Sequence, residues 1–264
     1  MATAPLLTER SSRVVAAAKL HRHVARKRTG RFLVEGPNLV EAALRSGAVR
    51  DVFVTEQALR RFGAVLADVG VPVHRVTERA AKALSDTVTP VGLVAVCEQS
   101  GTTLEQVLAD RPGLVAVAVG VSEPGNAGTL IRLADAMGAD AVVLAGHSVD
   151  PHNAKCLRAS AGSVFAVPVV VAPDAADVVA SLARAGIQVL ATTVDGETDL
   201  DDAQPLLRRP TAWLFGPEAH GLPDDVARPA SHRIRIPMAG QAESLNVGAA
   251  AAICLYQSLL ARRR

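Results

Sequence analysis

Apolar positions recur along this chain in short bursts, separated by polar turns that carry glycine and proline. Over residues 12–28, Val14, Val15, Ala18 and Leu20 give a loosely helical spacing. Residues 31–35 then read as a strand, Gly36-Pro-Asn38 as a turn, and Leu39–Leu44 as the start of a helix. Val49–Thr55, Pro72–Val76 and Leu93–Cys97 are strands; Gln57–Val69 and Thr77–Leu84 are helices, the second capped by Thr77. Ser100-Gly-Thr-Thr103 is a linker or the start of the next helix. A second alternation follows. Its strands are Leu114–Val119, Ala141–Leu144, Val164–Val171, Gln188–Thr193, Ala212–Phe215 and His232–Ile236. Its helices are Ala127–Met137, Asn153–Ser160, Ala175–Arg184 and Leu245–Leu260. These strands are short apolar runs without strict alternation, the pattern of a parallel sheet covered on both faces. The fold class is α/β, with one domain expected over residues 1–104 and a second over 105–264.

Composition narrows the picture. Hydrophobic residues make up 49% of the 264, but aromatics only 3%, so the core must be built of Ala, Val and Leu. No uncharged apolar run reaches the ~18 residues of a membrane span, and no apolar stretch follows Arg10 and Arg13 as in a secretory signal. Cys97, Cys156 and Cys254 form no C-x-x-C pair, so neither zinc nor a disulfide framework is expected, and a reducing cytoplasm is. A net charge of +2 does not by itself point to nucleic acid. Its distribution does: Lys19, Arg22, Arg26, Lys27, Arg28 and Arg31 crowd one short segment and suit phosphate contacts with folded RNA. Taken alone, that segment could equally be a solvated helix face.

No G-x-G-x-x-G follows a first strand, and there is no P-loop, nucleophile elbow or H-E-x-x-H pair. Instead, three glycine-bearing turns lie at the carboxyl ends of expected strands, where α/β sheets take their ligands. The first is Gly120-Val-Ser-Glu-Pro-Gly-Asn-Ala-Gly-Thr-Leu-Ile-Arg132, with Asn126 near a helix start and Arg132 further along. The second is Leu214-Phe-Gly-Pro-Glu-Ala-His-Gly-Leu-Pro223, whose glycines and prolines set an irregular backbone around Glu218. The third is Ile236-Pro-Met-Ala-Gly-Gln-Ala-Glu-Ser-Leu-Asn-Val247, where Ser244 is expected to cap the following helix. Singly, each is compatible with a structural role.

In this order the three turns resemble the motifs of the SpoU branch of the SPOUT superfamily, RNA ribose 2′-O-methyltransferases, over residues 112–264. Arg158-Ala-Ser-Ala-Gly-Ser163 resembles the family's segment between its first and second motifs. Arg31-Phe-Leu-Val-Glu-Gly-Pro-Asn38 is similar to the family's small RNA-binding extension, which has a ribosomal-protein-like fold. The resemblance implies a deep trefoil knot, bound S-adenosyl-L-methionine, a homodimer in the cytoplasm, and an RNA substrate, 23S rRNA above tRNA. It implies cofactor contacts at Thr192, Thr193, Leu214, Gly216, Glu218, Gly221, Ile236, Met238, Ser244 and Leu245. Arg132 takes the catalytic position, supported by Asn126, Glu218, Ser244 and Asn246. A guanidinium is an awkward general base, so Arg132 is better read as a clamp on RNA phosphate and on the developing alkoxide. Two departures stand out: Pro217 where relatives often carry Asn, and Gly248 where Ser is common. The competing readings are a tRNA methyltransferase, a non-catalytic RNA-binding or ribosome-assembly protein, and, more remotely, a small-molecule methyltransferase. An intact Asn126, Arg132, Glu218, Ser244 and Asn246 set weighs against the non-catalytic reading.

Overall fold

A computed structural model describes residues 5–67, 69–217 and 220–263 of the chain. Two compact units emerge: Met1–Ser100 with His152–Phe165, and Gly101–Pro151 with Ala166–Arg264. The sequence places a single boundary between residues 104 and 105; the structure returns one later segment, 152–165, to the first unit.

In the first unit the basic segment folds as α1 (Ser12–Ala18), a 3-10 turn at Lys19–His21, and α2 (His23–Thr29). Then come β1 (Arg31–Glu35), α3 (Pro37–Ser46), β2 (Val49–Val54), α4 (Glu56–Phe62), β3 (Val73–Arg75), α5 (Glu78–Leu84) and β4 (Leu93–Glu98). The helix expected as far as Val69 stops at Phe62 and continues as a 3-10 turn to Leu66, with Gly63 as the breaker. The four strands lie in the order β1-β4-β2-β3, antiparallel except for the β2–β3 pair. Arg26 is the exception in the basic segment. It is 6% exposed, and one guanidinium nitrogen donates to the carbonyls of Leu20 (3.0 Å) and His21 (2.9 Å), tying α2 to the preceding turn. Its expected place on an RNA-facing surface is thereby corrected, whereas Lys19, Arg22, Lys27, Arg28 and Arg31 are exposed.

Strand β6 (Ala141–Ala145) of the second unit is followed in sequence by α8 (Ala154–Ser160), which packs in the first unit. There Leu157 joins the cluster of Phe32, Val34 and Leu93, and the rings of His152 and Phe165 flank Phe32 at 4.2 and 6.0 Å. This packing shortens the strand expected at Val164–Val171. Ser163–Phe165 is a 3-10 turn, and β7 begins only at Val169 (Val169–Ala172), beyond Pro168. Proline cannot donate into a ladder, which accounts for the late start.

The second unit also holds α6 (Leu104–Ala109), β5 (Leu114–Val119), α7 (Pro124–Ala136), α9 (Ala175–Arg184), β8 (Gln188–Thr192), β9 (Thr198–Asp199), β10 (Thr211–Phe215), α10 (Asp224–Ala227), β11 (His232–Arg235) and α11 (Val247–Arg263). Seven strands form one sheet, ordered β7-β6-β5-β10-β8-β11-β9, and each neighbouring pair is parallel. All six residues of β5 are buried. Val115, Val117 and Val119 join the core with Val178, Val179 and Leu182 of α9. On β10, the indole of the fully buried Trp213 donates to Ser258 Oγ of α11 at 2.8 Å. Alanine on the strands keeps the layers close enough for one large ring to fill the remaining space. No helix among the described residues is long and apolar enough to cross a membrane.

Candidate functional site

Strands β10, β8 and β11 are neighbours, and the segments leaving their carboxyl ends wall a cavity of about 480 Å³. Its lining includes Thr192, Thr193, Gly216, Gly221, Ile236, Met238, Ser244 and Leu245, eight of the expected cofactor positions. Glu218 lies outside the described residues. Leu214 does not line the cavity. Its side chain is buried in the core, and its carbonyl accepts the Thr192 hydroxyl at 2.8 Å. Of β10 only its last residue, Phe215, reaches the cavity, together with the chain that follows it.

The walls owe their shape to close backbone crossings. A Cβ on Gly216 would stand 2.6 Å from both the Gly221 carbonyl carbon and the Leu222 nitrogen, so no larger residue fits. Pro217 supplies no N–H, but its carbonyl accepts from Gly221 N at 2.9 Å and closes the turn. A Cβ on Gly196 would lie 2.7 Å from Arg235 N and from the Ile234 carbonyl carbon. One polar atom of the lining is left over: the Thr193 hydroxyl oxygen is buried with no hydrogen-bond partner among the described residues. A buried hydroxyl without a partner is costly, so this atom is suited to a ligand in the cavity.

Several residues around the cavity carry no motif. Arg233 donates from Nε to Glu197 (3.0 Å) and from one terminal nitrogen to Asp195 (3.2 Å), while its backbone N–H donates to Glu197 at 3.0 Å. That backbone N–H, together with Glu197's own, holds the Glu197 carboxyl below the usual carboxylate range; the Arg233 charge adds to it. Arg235 pairs with Asp199 at 2.7 Å, so one arginine staples β9 to β11 and the other staples the turn before β9. The Asp195-Gly196-Glu197 turn after β8 is the one sequence signal for this brace. His220 also lines the cavity, within the second motif.

The first and third motifs meet directly. Asn246 Nδ2 donates to Asn126 Oδ1 at 3.3 Å, and Asn246 Oδ1 accepts from Gly248 N at 2.9 Å. Asn246 therefore caps α11, the role expected of Ser244, which sits two residues earlier in the cavity wall. Gly248 acquires a reason as well. A Cβ there would come 3.0 Å from Thr129 Cγ2, so glycine lets α11 settle against α7. Asn126 lies in the third position of α7, whose N-cap is Glu123. Arg132 stands exposed on α7, does not line the cavity, and has no ion-pair or hydrogen-bond partner among the described residues.

Comparison with known proteins decides what this arrangement belongs to. Residues 113–256 match the SpoU rRNA methylase family, more than half of the chain. The chain belongs to the SpoU rRNA methylase family. Residues 11–95 match an MRM3-like substrate binding domain. Among relatives of this SpoU protein, a 23S rRNA (guanosine(2553)-2′-O)-methyltransferase of Bacillus subtilis is 36% identical, covering 90% of this chain and 92% of the relative. A crystal structure of an RNA 2′-O ribose methyltransferase matches with TM-score 0.83 and 35% identity, over 98% of this chain and 100% of the other. The SpoU methyltransferase AviRb of Streptomyces viridochromogenes, solved with AdoMet, matches with TM-score 0.82 and 30% identity, over 96% and 99% of the two chains.

Proposed function

We propose that this SpoU protein transfers a methyl group from S-adenosyl-L-methionine to a ribose 2′-hydroxyl of large-subunit rRNA. The observation that carries the reading is the cavity at the ends of β8, β10 and β11, walled by the second and third motifs and joined to the first through the Asn246–Asn126 hydrogen bond. The residues present fit the cofactor. Thr193 offers an unpartnered hydroxyl, Gly216 and Gly221 keep the wall thin, and Ile236, Met238 and Leu245 offer apolar surface. When bound, the cofactor supplies an electrophilic methyl on sulfonium. The protein must then align a weak nucleophile and ease the loss of its proton. Arg132 does this as a cation, holding RNA phosphate and stabilising the developing alkoxide as the hydroxyl proton passes to solvent water, while Asn126 and Asn246 fix each other.

A homodimer, a knotted C-terminal threading and a cytoplasmic location belong to the same proposal. What supports the first is that exposed Arg132 lines no wall of its own chain's cavity, so a second copy gives it a substrate to act on. What supports the second is the close passage of Gly196 against the backbone of Ile234 and Arg235, far along the chain. In the first unit, Lys19, Arg22, Lys27, Arg28 and Arg31 are placed on the RNA, where their contacts weaken with salt.

The test is methyl transfer from radiolabelled S-adenosylmethionine to unmodified rRNA and to tRNA, with the label mapped by its alkali-resistant linkage. Label at a 2′-hydroxyl of rRNA is the expected result. Label only in tRNA overturns the substrate. Absence of both label and cofactor binding returns the chain to the RNA-binding, non-catalytic reading.

A further inference from the structure

The first unit contains a second cavity, of about 250 Å³, lined by Arg13, Ala16, Leu20, Arg31, Asp51 and Phe53 among others. It is smaller than the ~300–1,000 Å³ of pockets for drug-sized ligands, which limits it to a single ring system. Its floor is apolar: Phe53 is buried, as are Leu20 and Val96. Its polar groups are of three kinds. Arg13 and Arg31 bring positive charge to the wall; Thr29 brings a hydroxyl that already donates to the Ala25 carbonyl; Asp51 brings one carboxylate, with its side chain 34% exposed.

That carboxylate is held in place. His74 Nε2 lies 2.7 Å from Asp51 Oδ1, and His74 Nδ1 lies 3.5 Å from an Arg13 terminal nitrogen. A guanidinium only donates, so Nδ1 accepts and the Nε2–H donates to Asp51. The chain Arg13–His74–Asp51 fixes the carboxylate while leaving Oδ2 and the remaining lone pair of Oδ1 to accept from a ligand. A carboxylate flanked by cations over an apolar floor suits a flat, neutral ring with two adjacent N–H donors, carried on an anionic chain. Among nucleobases, guanine alone offers that pair, N1–H and the N2 amine, on its Watson–Crick edge. Adenine and cytosine put an acceptor beside their amine, and uracil sets its single N–H between two acceptors.

Resting on the rRNA reading above, we propose that this cavity binds an unstacked guanine of the substrate RNA. Asp51 accepts from N1–H and N2–H, Phe53 and Leu20 lie beneath the ring, and Arg13 and Arg31 meet the neighbouring phosphates. The exposed cations of α2 and of the turn before it, Lys19, Arg22, Lys27 and Arg28, extend the track for the backbone.

The test is fluorescence anisotropy of the full chain with labelled oligouridylates carrying one central guanosine, inosine or adenosine, at one fixed salt concentration. Guanosine binds about tenfold or more tighter than adenosine, and inosine, which lacks the N2 amine, falls between. Asp51→Asn brings the guanosine-to-adenosine ratio close to one while salt-sensitive binding persists. Ala16→Trp, from an exposed position on α1, fills the mouth, leaves the Asp51–His74 contact in place, and erases the same ratio. If Asp51→Asn fails to fold by thermal melting, Ala16→Trp decides. No guanosine preference in the unaltered protein, or a preference that survives Ala16→Trp, overturns the proposal. Methyl transfer to rRNA is measured alongside. Transfer without guanosine preference sinks the guanine site alone, and preference without transfer sinks the methyltransferase reading alone.

Discussion

The two cavities of this molecule are built from different materials. In the second unit, loops bend around glycines so closely that a single Cβ at Gly216 or Gly196 would strike backbone. In the first unit, side chains on regular elements do the work: Arg13 and Ala16 from α1, Arg31 from β1, Asp51 and Phe53 from β2. A backbone-walled site tolerates little change in chain path but considerable change in side chains. A side-chain site is the reverse, and each kind leaves a different trace in sequence.

The sharpest way to break this contrast is Gly216→Ala, which removes no functional group. The added methyl meets backbone at 2.6 Å, so we expect a loss on the order of 3 kcal/mol in stability and loss of cofactor binding. Thermal melting and calorimetric titration with S-adenosylmethionine check both, and near-normal cofactor affinity would mean the wall is not backbone-built. Arg132→Ala comes next. It leaves the cavity wall untouched, so cofactor affinity holds while turnover falls about a hundredfold or more. Arg132→Lys separates charge from shape: near-normal turnover there would discard a role specific to guanidinium.

A smaller effect, with opposite signs in two measurements, is expected of Thr193→Val. The free protein loses an unsatisfied buried hydroxyl and melts no lower than before, whereas cofactor affinity drops about three- to tenfold. A fall in melting temperature with unchanged affinity would show that the hydroxyl serves the fold. The smallest effect concerns Glu197. Its carboxyl titrates below the usual range, so the contact with Arg233 is intact above ordinary carboxylate pKa values and is lost as pH falls through the depressed one. Cofactor affinity should therefore decline modestly on acidification, and Glu197→Gln should flatten that limb of the pH profile.

This difference in materials also explains what could be read beforehand. Strands such as Leu114–Val119, and the helix at Ala175–Arg184, coincide with expectation because their burial writes a plain apolar pattern. The three motif turns stood out because glycine, proline and asparagine punctuate a chain visibly. The two-residue β9 and the four-residue α10 are too short to carry any period. The capping role passed from Ser244 to Asn246 because cap preference does not distinguish neighbours when both are good caps. Arg26 looked like its basic neighbours, and only the carbonyls of Leu20 and His21 reveal its inward turn. The Arg13–His74–Asp51 chain joins residues 23 and 61 positions apart, a separation no local pattern records.

The hydrogen bond from Trp213 to Ser258 has a consequence for how the chain matures. The strand position and its helical cover are separated by 45 residues. A ribosome adding about 5–20 residues per second leaves that indole waiting roughly 2–9 s for its partner. During this interval the largest side chain of the sheet is newly made but uncovered, and closure of the second unit must follow rather than accompany synthesis of β10. Because Trp213 is the sole tryptophan, its emission provides a clock for that last step, blue-shifting when α11 docks.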